Sequence, residues 1–81
     1  MTEQQIMERL TALIRLTFGA PDSTPITRET VSYDIDGWDS LSHSTLLIMA
    51  EKEFSISISA DEGEDFDNVG ELADFVASKV V

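Results

Sequence analysis

The stretch "DGWDSLSHSTLLIMAEKEF", residues 36–54, decides how this chain is read. Asp39 and Ser40 stand where helix N-caps are favoured, and Leu46, Leu47, Ala50 and Phe54 follow at i, i+1, i+4 and i+8, which places them on one face of a helix. Leu41, Ser44 and Ile48 fall on another flank. A serine at a helix start has two readings. It can be the cap, or it can carry a phosphate ester where free backbone N–H groups and the helix macrodipole favour negative charge. The three-residue motif alone does not choose between them.

Upstream, Ile6, Leu10, Leu13, Ile14 and Phe18 form a helical stripe over residues 2–18, with Thr2 and Gln5 spaced as a capping box and Gly19, Ala20 and Pro21 as the stop. Between Gly19 and Asp39 lies a connection of about 20 residues, long for a small domain. Its Ile26, Val31, Tyr33, Ile35 and Trp38 are expected to pin it to the core. Downstream, "SISISA" at 55–60 alternates like a strand, but with no second strand to pair with, Ile56 and Ile58 are read as loop residues dropped into a helical core. "ADEGEDF" at 60–66 fits one short helical turn, weakened by Gly63. Asn68 is expected to cap a last helix in a capping box with Glu71, its stripe being Val69, Leu72, Phe75, Val76 and Val80. The chain therefore predicts an all-α fold with three main helices, one marginal one and a long first loop.

Its 81 residues suit one domain, 1–81, and a chain this short buries only about 60–65% of its unfolded surface. Without an apolar run long enough for a bilayer or a leader-like start, it is expected to be cytoplasmic and monomeric. Without cysteine there is no thiolate metal site and no thiol nucleophile, so any thiol chemistry needs an imported thiol. The net charge of −11 is uneven: residues 21–40 carry −4 and residues 61–81 carry −6, seven carboxylates against Lys79. Such a field repels nucleic acid and anionic membranes and steers basic protein surfaces into encounter.

"WDSL" at 38–41, "LLIMAEKEF" at 46–54, "ISI" at 56–58, the acidic segment after it and "NVGELADFV" at 68–76 together resemble an acyl carrier protein of the phosphopantetheine-binding family. The resemblance covers essentially the whole chain. It implies a four-helix bundle of acyl-carrier type, with a long loop between helices 1 and 2 and a short helix 3. It also implies that Ser40 is the serine to which a phosphopantetheinyl transferase attaches phosphopantetheine from coenzyme A, with Asp39 recognised by that transferase. The working thiol would then sit at the tip of the arm and hold acyl intermediates as thioesters. The domain itself would catalyse nothing. Leu41, Ser44, Ile48 and Glu51 match positions that meet partner enzymes, namely acyl-loading and acyl-processing enzymes with basic docking surfaces.

Several residues depart from the fatty-acid carriers. Ser44 takes an apolar place, while Thr45 and Lys52 stand where carboxylates are usual, so the docking face is more neutral and a specialised lipid or polyketide-type pathway is expected. Met49-Ala50 reverses the usual small-then-large order, leaving room for cargo if Ala50 faces inward, unless the adaptable Met49 fills it. An aminoacyl or peptidyl carrier is an alternative, as is a carrier-like interaction module that is never modified. His43 has no visible partner for general-base work and is expected to be an exposed helix residue. "DEGEDFD" lacks the ligand spacing of a calcium loop, so no metal site is expected.

Overall fold

The computed structural model describes residues 1–63 and 66–80. Four helices follow in order: α1 over Glu3–Phe18, α2 over Ser40–Phe54, α3 over Ala60–Gly63 and α4 over Val69–Lys79, with a 3₁₀ turn at Ser32–Asp34 in the first loop. This is the all-α, four-helix arrangement that the periodicity implies. The described residues contain no strand, and segment 55–59 runs as a loop with Ile56 and Ile58 half-buried against the core.

α1 packs against both α2 and α4. Ile6, Leu10, Leu13 and Ile14 from α1 meet Leu46, Ala50 and Phe54 from α2 and Val69, Leu72, Ala73 and Val76 from α4 in one core. Each set recurs at the three-to-four-residue spacing that keeps apolar side chains on one helix face. Ala50 is fully buried, so the small residue does face inward. Met49 turns to the side, half-buried, where its sulfur accepts the Thr17 hydroxyl proton at 3.2 Å.

Short polar side chains fix the helix ends. The Thr2–Gln5 capping box forms with both reciprocal bonds, and Gly19 closes α1 in the left-handed region at φ 66°. Asp39 caps α2: its Oδ1 accepts the Ser42 backbone N–H at 2.9 Å, while the Ser42 hydroxyl accepts the Asp39 N–H at 2.9 Å. The bond from the Ser42 backbone, reinforced by the Ser42 hydroxyl, holds the Asp39 carboxyl below its usual range. Ser59 and Glu62 bond reciprocally across α3, and the Ser59 N–H followed by the Lys79 ammonium keeps Glu62 low as well. The Ser59–Glu62 spacing of "SADE" is that of a capping box. At α4 the expected capping box is only half formed. Asn68 Oδ1 accepts the Glu71 N–H, but the Glu71 carboxylate reaches one residue further back, to the Asp67 N–H.

The first amides of α4 also receive partners from the long loop. Val69 N–H donates to Thr30 O at 2.9 Å and Gly70 N–H to Arg28 O at 2.8 Å, so two otherwise orphaned donors of the helix hold the loop in place. Thr30 is buried, its hydroxyl accepting the Thr27 N–H, and an exposed Arg28–Asp74 ion pair lies across the same junction. The apolar pins are fewer than expected. Ile35 is buried and Ile26 and Trp38 pack on the core, Val31 is half-buried, but Tyr33 is 95% exposed. It sits in the tight 3₁₀ turn, away from the core-packed side chains on either side of it.

A side chain at Gly70 would be crowded, because a Cβ there would lie 3.0 Å from both Arg28 O and Arg28 Cβ. Gly70→Ala is expected to lower the thermal midpoint, even though alanine gains about 1 kcal/mol of helix propensity over glycine; calorimetry checks the sign. Acid should act on the Asp39 cap. A carboxyl whose pKa is lower folded than unfolded stabilises fully above its unfolded value, about 3.9, and ceases to do so as pH falls through the folded value. After correction for the intrinsic pH dependence of exchange, protection of the Ser42 amide is therefore expected to fall below about pH 4, and in an Asp39→Ala variant it should be low at any pH.

Candidate functional site at the start of helix α2

Ser40 is the first residue of α2 and is exposed. Because Asp39 is the cap, the Ser40 hydroxyl is not needed for that role. Gly37, at φ 88°, lets the chain turn sharply into the helix, and Gly37 O lies 2.5 Å from the Ser42 hydroxyl. Residues 37–42 thus present Ser40 outward on a well-bonded turn at the positive end of the helix macrodipole.

Beside Ser40 opens a cavity of about 480 Å³ between α2, the end of the first loop and the segment entering α4. The exposed Asp39, Ser40, Ser44 and Asp67 form its rim, and the buried Val69 and Leu72 its floor, with half-buried Trp38, His43, Leu47 and Phe66 between. Gly63 of α3 is buried over Leu47, so close that a Cβ would overlap the Leu47 Cδ1. The glycine that weakens this short helix in the sequence is thus what lets it approach α2.

His43 is not an exposed helix residue. It is half-buried, its Nδ1 receiving the Trp38 indole N–H at 3.0 Å and its Nε2 lying 2.7 Å from Gly63 O. Trp38 in turn stacks on Phe18 of α1, with ring centroids 4.8 Å apart. Sequence reasoning missed this group because its three partners come from separate segments. Only the pairing of one indole donor with one imidazole five residues later hinted at it.

On the outer face of α2, Leu41 is 83% and Ile48 52% exposed, and Thr45 and Lys52 continue the same stripe. Ser44 and Thr45 fold their hydroxyls back onto Ser40 O and Leu41 O, as helical hydroxyls do. Glu51 is placed differently from the free docking charge expected of it. It is half-buried, and its carboxylate accepts the Ile58 N–H at 3.0 Å, tethering the loop after α2. Glu53 pairs with Arg9. Arg15 donates to Pro21 O, Arg28 pairs with Asp74 and Lys79 with Glu62, so Lys52 is the one basic side chain without a partner among the described residues. Of the acidic stretch after α3, Glu64 and Asp65 lie outside the described residues; among the others, no group of three His, Asp or Glu could hold a metal ion. No described helix is long and apolar enough to cross a membrane.

No family model matches the chain. Individual proteins do. It is 31% identical over 80 residues to an acyl carrier protein of Guillardia theta, covering 99% of this chain and 98% of that one. An acyl carrier protein of Acidothermus cellulolyticus is 28% identical over 81 residues, covering 100% and 95%. The solution structure of holo acyl carrier protein from Geobacter metallireducens superposes with a TM-score of 0.81 at 41% identity, covering 93% of this chain and 85% of that one. Similarity of sequence over nearly the full length, together with a shared helical fold, places this chain in the acyl carrier protein family.

Proposed function

We propose that this chain is one carrier domain that bears phosphopantetheine on Ser40, holds acyl intermediates as thioesters at the tip of that arm, and presents them to partner enzymes. The observation that carries this reading is the exposed Ser40 hydroxyl, freed from capping by Asp39 and set at the first turn of a helix beside a cavity with a polar rim and apolar floor. The residues fit the group. A phosphodiester on Ser40 would lie at the positive end of α2, beside backbone N–H groups of the first turn. The arm supplies the thiol that the chain lacks. The protein's own part is positional: Asp39 holds the turn and is the residue we assign to recognition by a phosphopantetheinyl transferase, while tethering gives the cargo a high effective concentration at a docked enzyme. The domain catalyses no step itself and acts in the cytoplasm.

Leu41, Ser44 and Ile48 form the proposed partner-facing patch, and Glu51 supports it by holding the adjoining loop. Leu41, Ser44 and Ile48 carry no charge themselves, while carboxylates elsewhere, Asp36 and Asp61 among them, are exposed. We infer that basic surfaces on acyl-loading and acyl-processing enzymes are guided by that charge and then seat on the apolar stripe. A face so unlike a uniformly acidic one supports service in a specialised lipid or polyketide-type pathway.

Intact mass after incubation with coenzyme A and a broad-specificity phosphopantetheinyl transferase tests the assignment. The native chain is expected to gain one phosphopantetheine and the Ser40→Ala variant none. An unmodified native chain beside a fully modified control carrier would overturn it. The rate of that modification should also fall as salt rises and the Debye length shrinks to about 8 Å at 0.15 M. A salt-independent rate would assign recognition to Leu41 and Ile48 alone.

A further inference from the structure

The cavity beside Ser40 is held on one side by a single imidazole. Gly63 O can only accept a hydrogen bond and the Trp38 indole N–H can only donate one, so His43 must carry its proton on Nε2 and offer the Nδ1 lone pair. That is the neutral Nε2–H tautomer, with both ring nitrogens in use. The indole and imidazole planes lie 20° apart with centroids 6.0 Å apart, so the rings meet edge to edge and the indole N–H points at the lone pair. The Trp38 ring is backed by Phe18 of α1. One side chain of α2 therefore joins the segment delivering Ser40, the first helix and the short helix α3.

We propose that His43 is a proton-operated latch on this wall of the cavity: the neutral imidazole clamps Trp38 and α3 together, and the imidazolium releases Trp38 while keeping Gly63. A proton taken from solvent by Nδ1 occupies the lone pair that the indole uses, leaving two N–H groups facing each other. The Nε2–H bond to Gly63 O is unaffected in kind, and charge strengthens it. Because Trp38 lies two residues before Ser40, its release loosens the chain that holds the serine and opens the cavity wall that Trp38 forms. Histidine is the side chain whose ordinary titration falls between pH 5 and 8, and this chain has one.

Among the described residues, the other titratable groups around the ring are carboxylates: Asp39 at the start of its own helix, Asp67 on the opposite rim, and Asp61 and Glu62 on α3, the last engaged by Ser59 and Lys79. α1 contributes Phe18 and α4 contributes Val69 and Leu72, none of which titrates. Carboxylates ordinarily titrate below this window. The latch rests on this geometry and not on modification of Ser40, so it stands or falls separately from the carrier reading.

The single tryptophan makes it measurable in the unmodified protein. As pH is lowered, the Trp38 indole ¹H–¹⁵N resonance and the tryptophan emission are expected to change together with the His43 ring protons. In His43→Gln, which cannot take up a proton, both should stay flat. An indole resonance that does not move while His43 titrates, or an equal response in His43→Gln, would overturn the proposal. If that variant does not fold, the native chain decides alone. After correction for the intrinsic pH dependence, exchange of the indole N–H should rise about tenfold across the titration, the scale of one net hydrogen bond, while the Leu10 and Ile14 amides keep their protection. Equal loss at all three sites would mean global unfolding and no latch.

Discussion

The structure depends on the first turn of α4 finding its hydrogen-bond acceptors in the long loop. A helix begins with amides that have no partner of their own, and here the carbonyls of Arg28 and Thr30 accept two of them. The side chain of Gly70 is absent where the two backbones meet, so the approach is close enough for a 2.8 Å bond. With the middle of the loop fixed on α4 and Ile35 buried, the remaining few residues can only lead across to the start of α2. A connection that would otherwise be an entropic burden thus becomes the support for Ser40.

The same economy of partners shows at the start of α2. Asp39 satisfies the helix end, Ser42 returns the bond, and Ser40 between them is left exposed and uncommitted. On the cavity side, the indole of Trp38 and the carbonyl of Gly63 both end on His43, so no described buried side-chain polar atom goes without a partner. Satisfied polar groups of this kind define one arrangement, because breaking any one of them leaves a donor or acceptor buried and unpaired. α3, with four residues, has too few of its own hydrogen bonds to persist alone. It is held by Ser59 and Glu62 at its start, by His43 at its end and by the Glu62–Lys79 pair to α4.

Charge is organised around these contacts. Of five basic side chains, four are engaged by carboxylates or a carbonyl within the molecule, which leaves a strongly acidic surface and one free cation, Lys52, among the described residues. Exposed pairs of this type contribute little to stability. Their effect is on the field, since each pairs one cation with carboxylates that still outnumber it. The exposed stripe from Leu41 to Lys52 interrupts that field with apolar and neutral groups.

The sequence by itself determined the helices and the caps at Thr2 and Asn68. Apolar spacing in residues 6–18, 46–54 and 69–76 gives faces that bury each other, and short-range pairs such as Thr2 with Gln5 depend on residues three apart. The family, too, was legible in "WDSL" and the segments that follow it. Tertiary structure decided which polar side chains were already taken. Whether Asp39 or Ser40 caps, whether Glu51 faces a partner or Ile58, whether Tyr33 turns in or out, and whether His43 is bare or doubly bonded each depend on the path the backbone takes in the folded chain, for His43 as far away as Gly63. A hydrogen bond between residues 43 and 63 leaves no periodic trace along the chain, because it is set by how α3 lies over α2 and not by the spacing of like residues.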